Sequence, residues 1–517
     1  DSPAKTDGTA QFTLDVSRPG MLVAVVAHPP KFGATVKNFD ASNARAMDGV
    51  KDVVQIPRGV AVLADSYHTA VKARAALTID WDETAAEKRG SEELLATYRK
   101  QLDQPGLVAT GKGDAAATIE ASARTVEAEF DFPYLAHATM EPMDCVVELH
   151  ADRCEIWTGS QLQTVDQGVV AQITGLTPQQ VLIHTQFAGG SFGRRAVPDS
   201  DYVAEAAMIV KAIDGKAPVK LYWSREDDMR GGRYRPMSAH RLKAALDDQG
   251  NIVAWHHRVA VQSIMKGTPF ASLVQNGIDS TSVEGAANLP YAMPHLQVEL
   301  HDMDAGVPVL WWRSVGHTFN AYVTEVFLDR LAAEAGRDPY ELRHQLLADH
   351  PRHRGVLELA AEKAGWGDEV PEGKGRGIAV HESFNSFVAE VVDVAIDDGG
   401  NLTVERVVCA VDCGIAINPD VIKAQMEGGI AYALSAALRE AITLMDGEVQ
   451  QGNFDSYRPL RINEMPKVEV HIVASNEPPT GVGEPGVPPL APALANAIRA
   501  ATGKEINRLP IADQLKA

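Results

Sequence analysis

Cysteine is scarce: Cys145, Cys154, Cys409 and Cys413 are the four in a chain of 517 residues. No CxxC pair occurs, which removes the spacing that zinc ribbons, thioredoxin-like motifs and iron–sulfur clusters require. Cys145 and Cys154 flank a hairpin-like stretch, so a disulfide there is allowed but not demanded. So few cysteines leave the redox compartment undecided. Aromatics are also few, at 6%, fewer than carbohydrate sites usually carry. No apolar run approaches the ~20 residues of a membrane helix. Basic residues are outnumbered, 48 Lys and Arg against 69 Asp and Glu, for a formal charge of −21. That balance argues against nucleic acid or anionic lipid as partners. No HExxH occurs, which speaks against zinc hydrolysis, and Ser191, though it stands in Gly189-Gly190-Ser191-Phe192-Gly193, has no strained elbow pattern around it. The chain opens on Asp1-Ser2-Pro3 with neither a leader nor an initiator Met, the pattern of a processed or split product.

What is present is the make-up of a globular protein, 45% hydrophobic and 23% charged. The length calls for two or more domains. Alternation and turn signals predict strands over 12–16, 21–27, 53–56, 60–63 and 77–81 and helices over 69–77 and 92–101. Residues 1–101 thus read as a small α+β unit. Residues 102–117, rich in Gly, Ala, Asp and Thr, read as a linker.

Three stretches carry candidate chemistry. In Gly481-Val482-Gly483-Glu484-Pro485-Gly486-Val487-Pro488-Pro489 one carboxylate stands among glycines and prolines, ahead of a helix predicted over 491–501. The ordinary reading is a turn with a solvated Glu. The functional reading is a base on a stiff loop. Gly189-Gly190-Ser191-Phe192-Gly193-Arg194-Arg195 lies between a predicted strand and helix, a geometry that offers backbone N–H groups to an anion. It has neither a P-loop ending nor G-x-G-x-x-G spacing. It is either a tight structural turn or a cradle, with Arg194 and Arg195 as sources of charge. Arg313, after Trp311-Trp312, is either stacked on an aromatic or a donor to an oxyanion. Glu141, before Pro142, would complete a glycosidase pair with Glu484, but reads more simply as a solvated or helix-capping residue.

In combination these loops resemble the molybdenum-cofactor subunit of the xanthine oxidase and aldehyde oxidase family, of the isoquinoline 1-oxidoreductase beta-subunit type. Trp312-Arg313-Ser314-Val315-Gly316-His317, Asp412-Cys413-Gly414 with Asn418-Pro419, and Gln425-Met426-Glu427-Gly428-Gly429 complete the set, which spans nearly the whole chain. The resemblance implies a multi-domain α+β fold, with a hammerhead-like domain over 1–101 and cofactor-binding parts over 118–365 and 366–517. It implies that Glu484 is the catalytic glutamate and that no protein side chain ligates the metal. Gln161, Gly189, Gly190, Ser191, Phe192, Gly193, Arg194, Arg313 and Gly483 would surround the molybdenum-molybdopterin, with Gln425 and Gly428 at a helix start beside the pterin. The cofactor would be the cytosine dinucleotide form. The implied activity is hydroxylation of an aldehyde or N-heteroaromatic ring with water-derived oxygen, Glu484 taking up a proton. Electrons would leave to a two-iron two-sulfur subunit, since this chain has no cluster spacing.

The chain also departs from the family pattern. Ala196 stands where purine oxidases place a glutamate, which argues against purine oxidation, and Val315 where they place an aromatic, which implies a different, smaller or more open pocket. Two N-terminal cofactor loops of the family are missing, so a companion chain is expected to supply them. By analogy the compartment is the periplasm or a membrane-associated complex, with the cytoplasm as the alternative. Two rivals remain: a glutamate-dependent hydrolase using Glu141 and Glu484, and a cofactor-free scaffold subunit.

Overall fold

Apolar runs of β-branched residues pair into three main sheets, and one long helix runs between two of them. The structure, a computed structural model, describes residues 2–516. The first sheet has seven strands, in the order Val181–Thr185, Cys154–Thr158, Asp144–Leu149, Val219–Tyr222, Leu22–Ala27, Gly59–Ala64 and Val50–Ile56. Gly59–Ala64 is buried at every position. Ala61 and Leu63 pack with Tyr202, Val203 and Ala206 of helix Asp201–Ala212. Val60, Val62 and Ala64 pack with Ala70 and Ala73 of helix Tyr67–Ala75. With both faces covered, the strand reads as an unbroken apolar run and not as an alternation.

The second sheet has five strands, ordered Leu107–Lys112, His295–Asp302, Ile252–Val261, Ser238–Leu246 and Arg124–Phe132. The third has four, Lys374–Ser383, Ser386–Ile396, Leu402–Asp412 and Lys467–Ile472. Its first hairpin turns through Phe384 and Asn385, both at positive φ (56° and 64°), the conformation that fits the twist of a two-residue hairpin loop. Helix His317–Glu334 is buried from His317 through Ala332. Its Phe319, Tyr322 and Phe327 share one core with Phe130 and Phe132 of the second sheet and Ala379 of the third. The result is a mixed α/β fold of several sheets.

Two expectations are corrected and one open possibility is closed. Residues 102–117 are no linker: Leu107–Lys112 is an edge strand paired with His295–Asp302, and helix Ala115–Ala121 follows. The strand is largely exposed, with Leu107 and Val108 at 48% and 58%, so nothing required an apolar alternation. Residues 12–16 form a short 3-10 turn, Thr13–Asp15, in which Asp15 accepts the Phe12 N–H at 2.9 Å. The four cysteines are free and buried. The antiparallel register sets Cys154 opposite Leu149, leaving Cys145 at the other end of its strand and out of disulfide reach. Among the described residues no helix is long and apolar enough to cross a membrane.

Candidate active site

The glycine loop after strand Val181–Thr185 is built from below. Glu141 Oε2 accepts the Gly189 N–H at 2.7 Å and pairs with Arg195 Nη2 at 3.1 Å. Arg195 also reaches Asp144, and Arg194 lies between Asp201 (2.9 Å) and Asp228 (3.3 Å). Both arginines are 1% exposed. The expectation that they offer charge to a ligand is therefore not met: their guanidiniums are engaged by four buried carboxyl groups beneath the loop. Glu141 is likewise neither solvated nor a helix cap. Above this base the backbone takes unusual turns. Phe192 sits at φ 57° and Gly193 at φ 109°. A Cβ on Gly193 would lie 2.2 Å from Trp311 O, so only glycine fits. The Phe192 ring stacks on Tyr432 at 4.5 Å, and Tyr432 stacks on Trp312 at 4.5 Å. Tyr432 is fixed in turn by its hydroxyl, which donates to His137 O at 2.9 Å. Ser191 Oγ donates to Gln161 Oε1, which occupies the carbonyl end of that amide and leaves its amino end for a ligand.

The segment Arg313-Ser314-Val315 holds the Glu484 loop. Arg313 N donates to Phe192 O at 2.9 Å, so the two loops are joined. The Arg313 Nε donates to Gly483 O at 2.7 Å and its Nη2 to Gln425 Oε1 at 3.1 Å. Arg313 thus bolts the Glu484 loop to helix Pro419–Leu438. Ser314 N donates to Glu484 Oε1 at 2.9 Å, and Ser314 Oγ donates to Glu484 O at 2.8 Å. Ser314 and Val315 both have positive φ, 73° and 49°. For a β-branched residue this is costly, by roughly 1–3 kcal/mol, and such strain gathers at functional sites. Replacing Ser314 by Ala removes one of the two bonds that fix Glu484. We expect a drop in kcat of about fivefold with little change in melting temperature, read by steady-state kinetics and a thermal melt; the lost bond is worth ~1 kcal/mol.

These elements enclose a cavity of about 570 Å³. Of the residues singled out by sequence, Gln161, Ser191, Phe192, Gly193, Arg313, Gln425, Gly483 and Glu484 line it. Gly189, Gly190, Arg194 and Gly428 do not line it, and neither does Glu141, which removes the geometric basis for a Glu141–Glu484 hydrolase pair. Trp311 and Phe384 line it too and had no local sequence signal. Ser314 was visible only as part of a motif, and Tyr432 is one aromatic in a mostly small-residue helix.

Two stretches of the chain, 100–347 and 319–466, match the molybdopterin cofactor-binding domain family. The beta chain of isoquinoline 1-oxidoreductase from Brevundimonas diminuta is 33% identical over 99% of this chain and 67% of that protein. The chain belongs to the molybdopterin-binding large subunits of the xanthine oxidase family. It is a molybdenum hydroxylase subunit. A membrane-bound aldehyde dehydrogenase (pyrroloquinoline-quinone) of Gluconacetobacter polyoxogenes is 29% identical over 99% of this chain and 70% of that protein. A nicotinate dehydrogenase subunit of Pseudomonas putida is 27% identical over 99% of this chain, which spans 45% of that protein's length. Relatives are thus named as subunits of larger enzymes. The crystal structure of quinoline 2-oxidoreductase from Pseudomonas putida 86 shares the fold, with a TM-score of 0.82 at 15% identity over 99% of this chain and 96% of that one.

The cleft of this molybdenum hydroxylase subunit fits a bulky cofactor. It is roomy, it has an aromatic stack at one wall, and it presents the amino end of Gln161 and the carboxylate of Glu484. Among the described residues no group of three or more His, Cys, Asp or Glu could hold a metal ion.

Proposed function

We propose that the chain hydroxylates an aldehyde or an N-heteroaromatic ring with oxygen from water, and that Glu484 is the general base. The observation that carries this reading is the placement of Glu484: its Oε1 is held by the Ser314 N–H at 2.9 Å, on the wall of the 570 Å³ cavity. The bound molybdopterin supplies the redox chemistry and the electron sink. The protein supplies the rest. Gln161 and the Ser191–Gly193 backbone bind the cofactor edge, and the Phe192–Tyr432–Trp312 stack fixes that wall. Gln425, on the wall of the cleft, borders the pterin. A carboxylate kept in one orientation by backbone accepts the proton of the attacking water-derived oxygen with little reorganisation.

Substrate choice follows from what the cleft presents. Ala196 and Val315 leave it without a charged anchor on that side, and Trp311 and Phe384 are flat apolar surfaces. Such a lining suits a neutral aldehyde or a planar ring better than a purine. Electrons pass to a two-iron two-sulfur partner, and the cofactor is the cytosine dinucleotide form. The complex is periplasmic or membrane-associated. Metal and pterin analysis of the purified complex tests this reading: it is expected to hold molybdenum and pterin, and a complex with its partner intact but without either would overturn it.

A further inference from the structure

Ser314 grips Glu484 from just before helix His317–Glu334, so the start of that helix sets where the carboxylate stands. A helix leaves its first N–H groups without intrahelical acceptors, and a polar side chain at the N-cap usually supplies one. Here the N-cap is Gly316, which has no side chain to do so. Glycine is imposed by a close approach, since a Cβ at 316 would collide with Thr281 O. The segment that presses there brings the missing acceptor: Glu284 Oε1 accepts the Gly316 N–H at 2.8 Å. The same segment is fastened to the helix by Asn320, whose Nδ2 donates to Ser282 O at 3.1 Å and to Glu284 O at 3.0 Å. Asn320 and Ser314 are both fully buried.

We propose that Glu284 is a positioning residue for Glu484: it supplies the cap that Gly316 cannot, and the capped helix start holds Ser314 in the turn that orients the base. The proposal rests on the reading of Glu484 as the base. The path is made of contacts and chain. Glu284 Oε1 holds Gly316 N, the backbone runs back from there to Ser314, and Ser314 N and Oγ hold Glu484. Between them Val315 is pinned at both ends. Its N–H donates to Trp312 O at 2.6 Å, and its carbonyl accepts the Thr318 hydroxyl at 2.8 Å. Positive φ at Ser314 and Val315 persists only while the surroundings over-determine it. Without the cap the first turn frays, the strained turn relaxes, and the Ser314 N–H moves off Glu484 Oε1. The role is one of hydrogen-bond geometry and not of charge. Burial, opposed by the Gly316 and His317 N–H groups and reinforced by the charges of Glu484 and Asp279, pushes the Glu284 carboxyl up to about 8. At neutral pH it is therefore a neutral acid, whose carbonyl oxygen accepts an N–H as an amide oxygen does.

The test is a kinetic double-mutant cycle on the holoenzyme. Glu284→Gln keeps the acceptor and is expected to hold kcat within about twofold of the parent. Glu284→Ala removes the acceptor and Glu284→Asp draws it back by a methylene. Both are expected to lower kcat on the order of tenfold, with a smaller change in KM and an unchanged molybdenum content. The Asp variant carries the same reading where the Ala variant folds poorly. Glu284 and Ser314 act on one grip, so adding Ser314→Ala to Glu284→Ala is expected to cost less than the product of the two single losses. Independent structural damage at the two sites would multiply them. Equal losses in Glu284→Gln and Glu284→Ala, full kcat in Glu284→Ala, or a fully multiplicative double variant overturns the positioning role. A fully active Glu284→Ala beside a dead Glu484→Gln removes only this role, whereas a fully active Glu484→Gln removes the base itself.

Discussion

Glu484→Gln is expected to abolish turnover and leave the cofactor bound. The glutamine carbonyl oxygen still accepts the Ser314 N–H, and the Ser314 Oγ bond to the backbone of residue 484 is untouched, so the loop keeps its shape. What disappears is the proton acceptor. A lost general base costs ~10²–10⁴-fold in rate, or roughly 3–5 kcal/mol of barrier. The expected split is a fall in kcat at unchanged pterin and molybdenum content. Glu484→Asp is a second probe. It keeps the charge but draws it back by one methylene, and a displacement of that size costs about 10²-fold. If Glu484→Gln turned over normally, the base assignment would be wrong even with the cofactor in place.

Arg343→Met is expected to have the largest effect on folding. Arg343 is 0% exposed and bridges Glu325 at 2.8 Å and Asp329 at 2.6 Å, both on the buried helix His317–Glu334. Glu325 also accepts the Tyr291 hydroxyl at 2.5 Å and the Val380 N–H at 3.0 Å, so one carboxylate ties the helix to the third sheet. Removing the cation strands two carboxylates in the core, which costs about 3–5 kcal/mol. Against a typical folding stability of ~5–15 kcal/mol this is a large fraction. Low yield of folded protein and a strongly depressed melting temperature are the expected readings. Pairing Arg343→Met with Glu325→Gln should return part of the loss, because one uncompensated charge is gone. An unchanged melting temperature in Arg343→Met would contradict the cluster's role.

Several local features were legible in the sequence because their causes are local. The hairpin of Asp144–Leu149 and Cys154–Thr158, the strand–glycine loop–helix order around Gly189, and helix Leu490–Thr502 after Pro488-Pro489 all follow from turn residues and apolar periodicity. Glu484 stood out because glycine and proline isolate it. What escaped reading depends on contacts distant in sequence. Leu107–Lys112 looks like a linker until it pairs with His295–Asp302. Arg194 and Arg195 look ligand-facing until Glu141, Asp144, Asp201 and Asp228 close around them. Phe384 reaches the cleft through a hairpin turn, and Tyr432 backs its wall by stacking on Phe192 from a helix packed across that loop. No spacing in the sequence announces either. The backbone at Ser314 and Val315 is the clearest case, since its positive φ values are imposed by the joining of three separate loops.

The most direct test of the central claim is the origin of the oxygen in the product. Turnover in heavy-oxygen water, with an artificial electron acceptor and an aldehyde or N-heteroaromatic substrate, is predicted to give product carrying one solvent oxygen. No such product should form with Glu484→Gln. Product oxygen drawn from dioxygen, or substrate cleaved without any acceptor, would contradict the account.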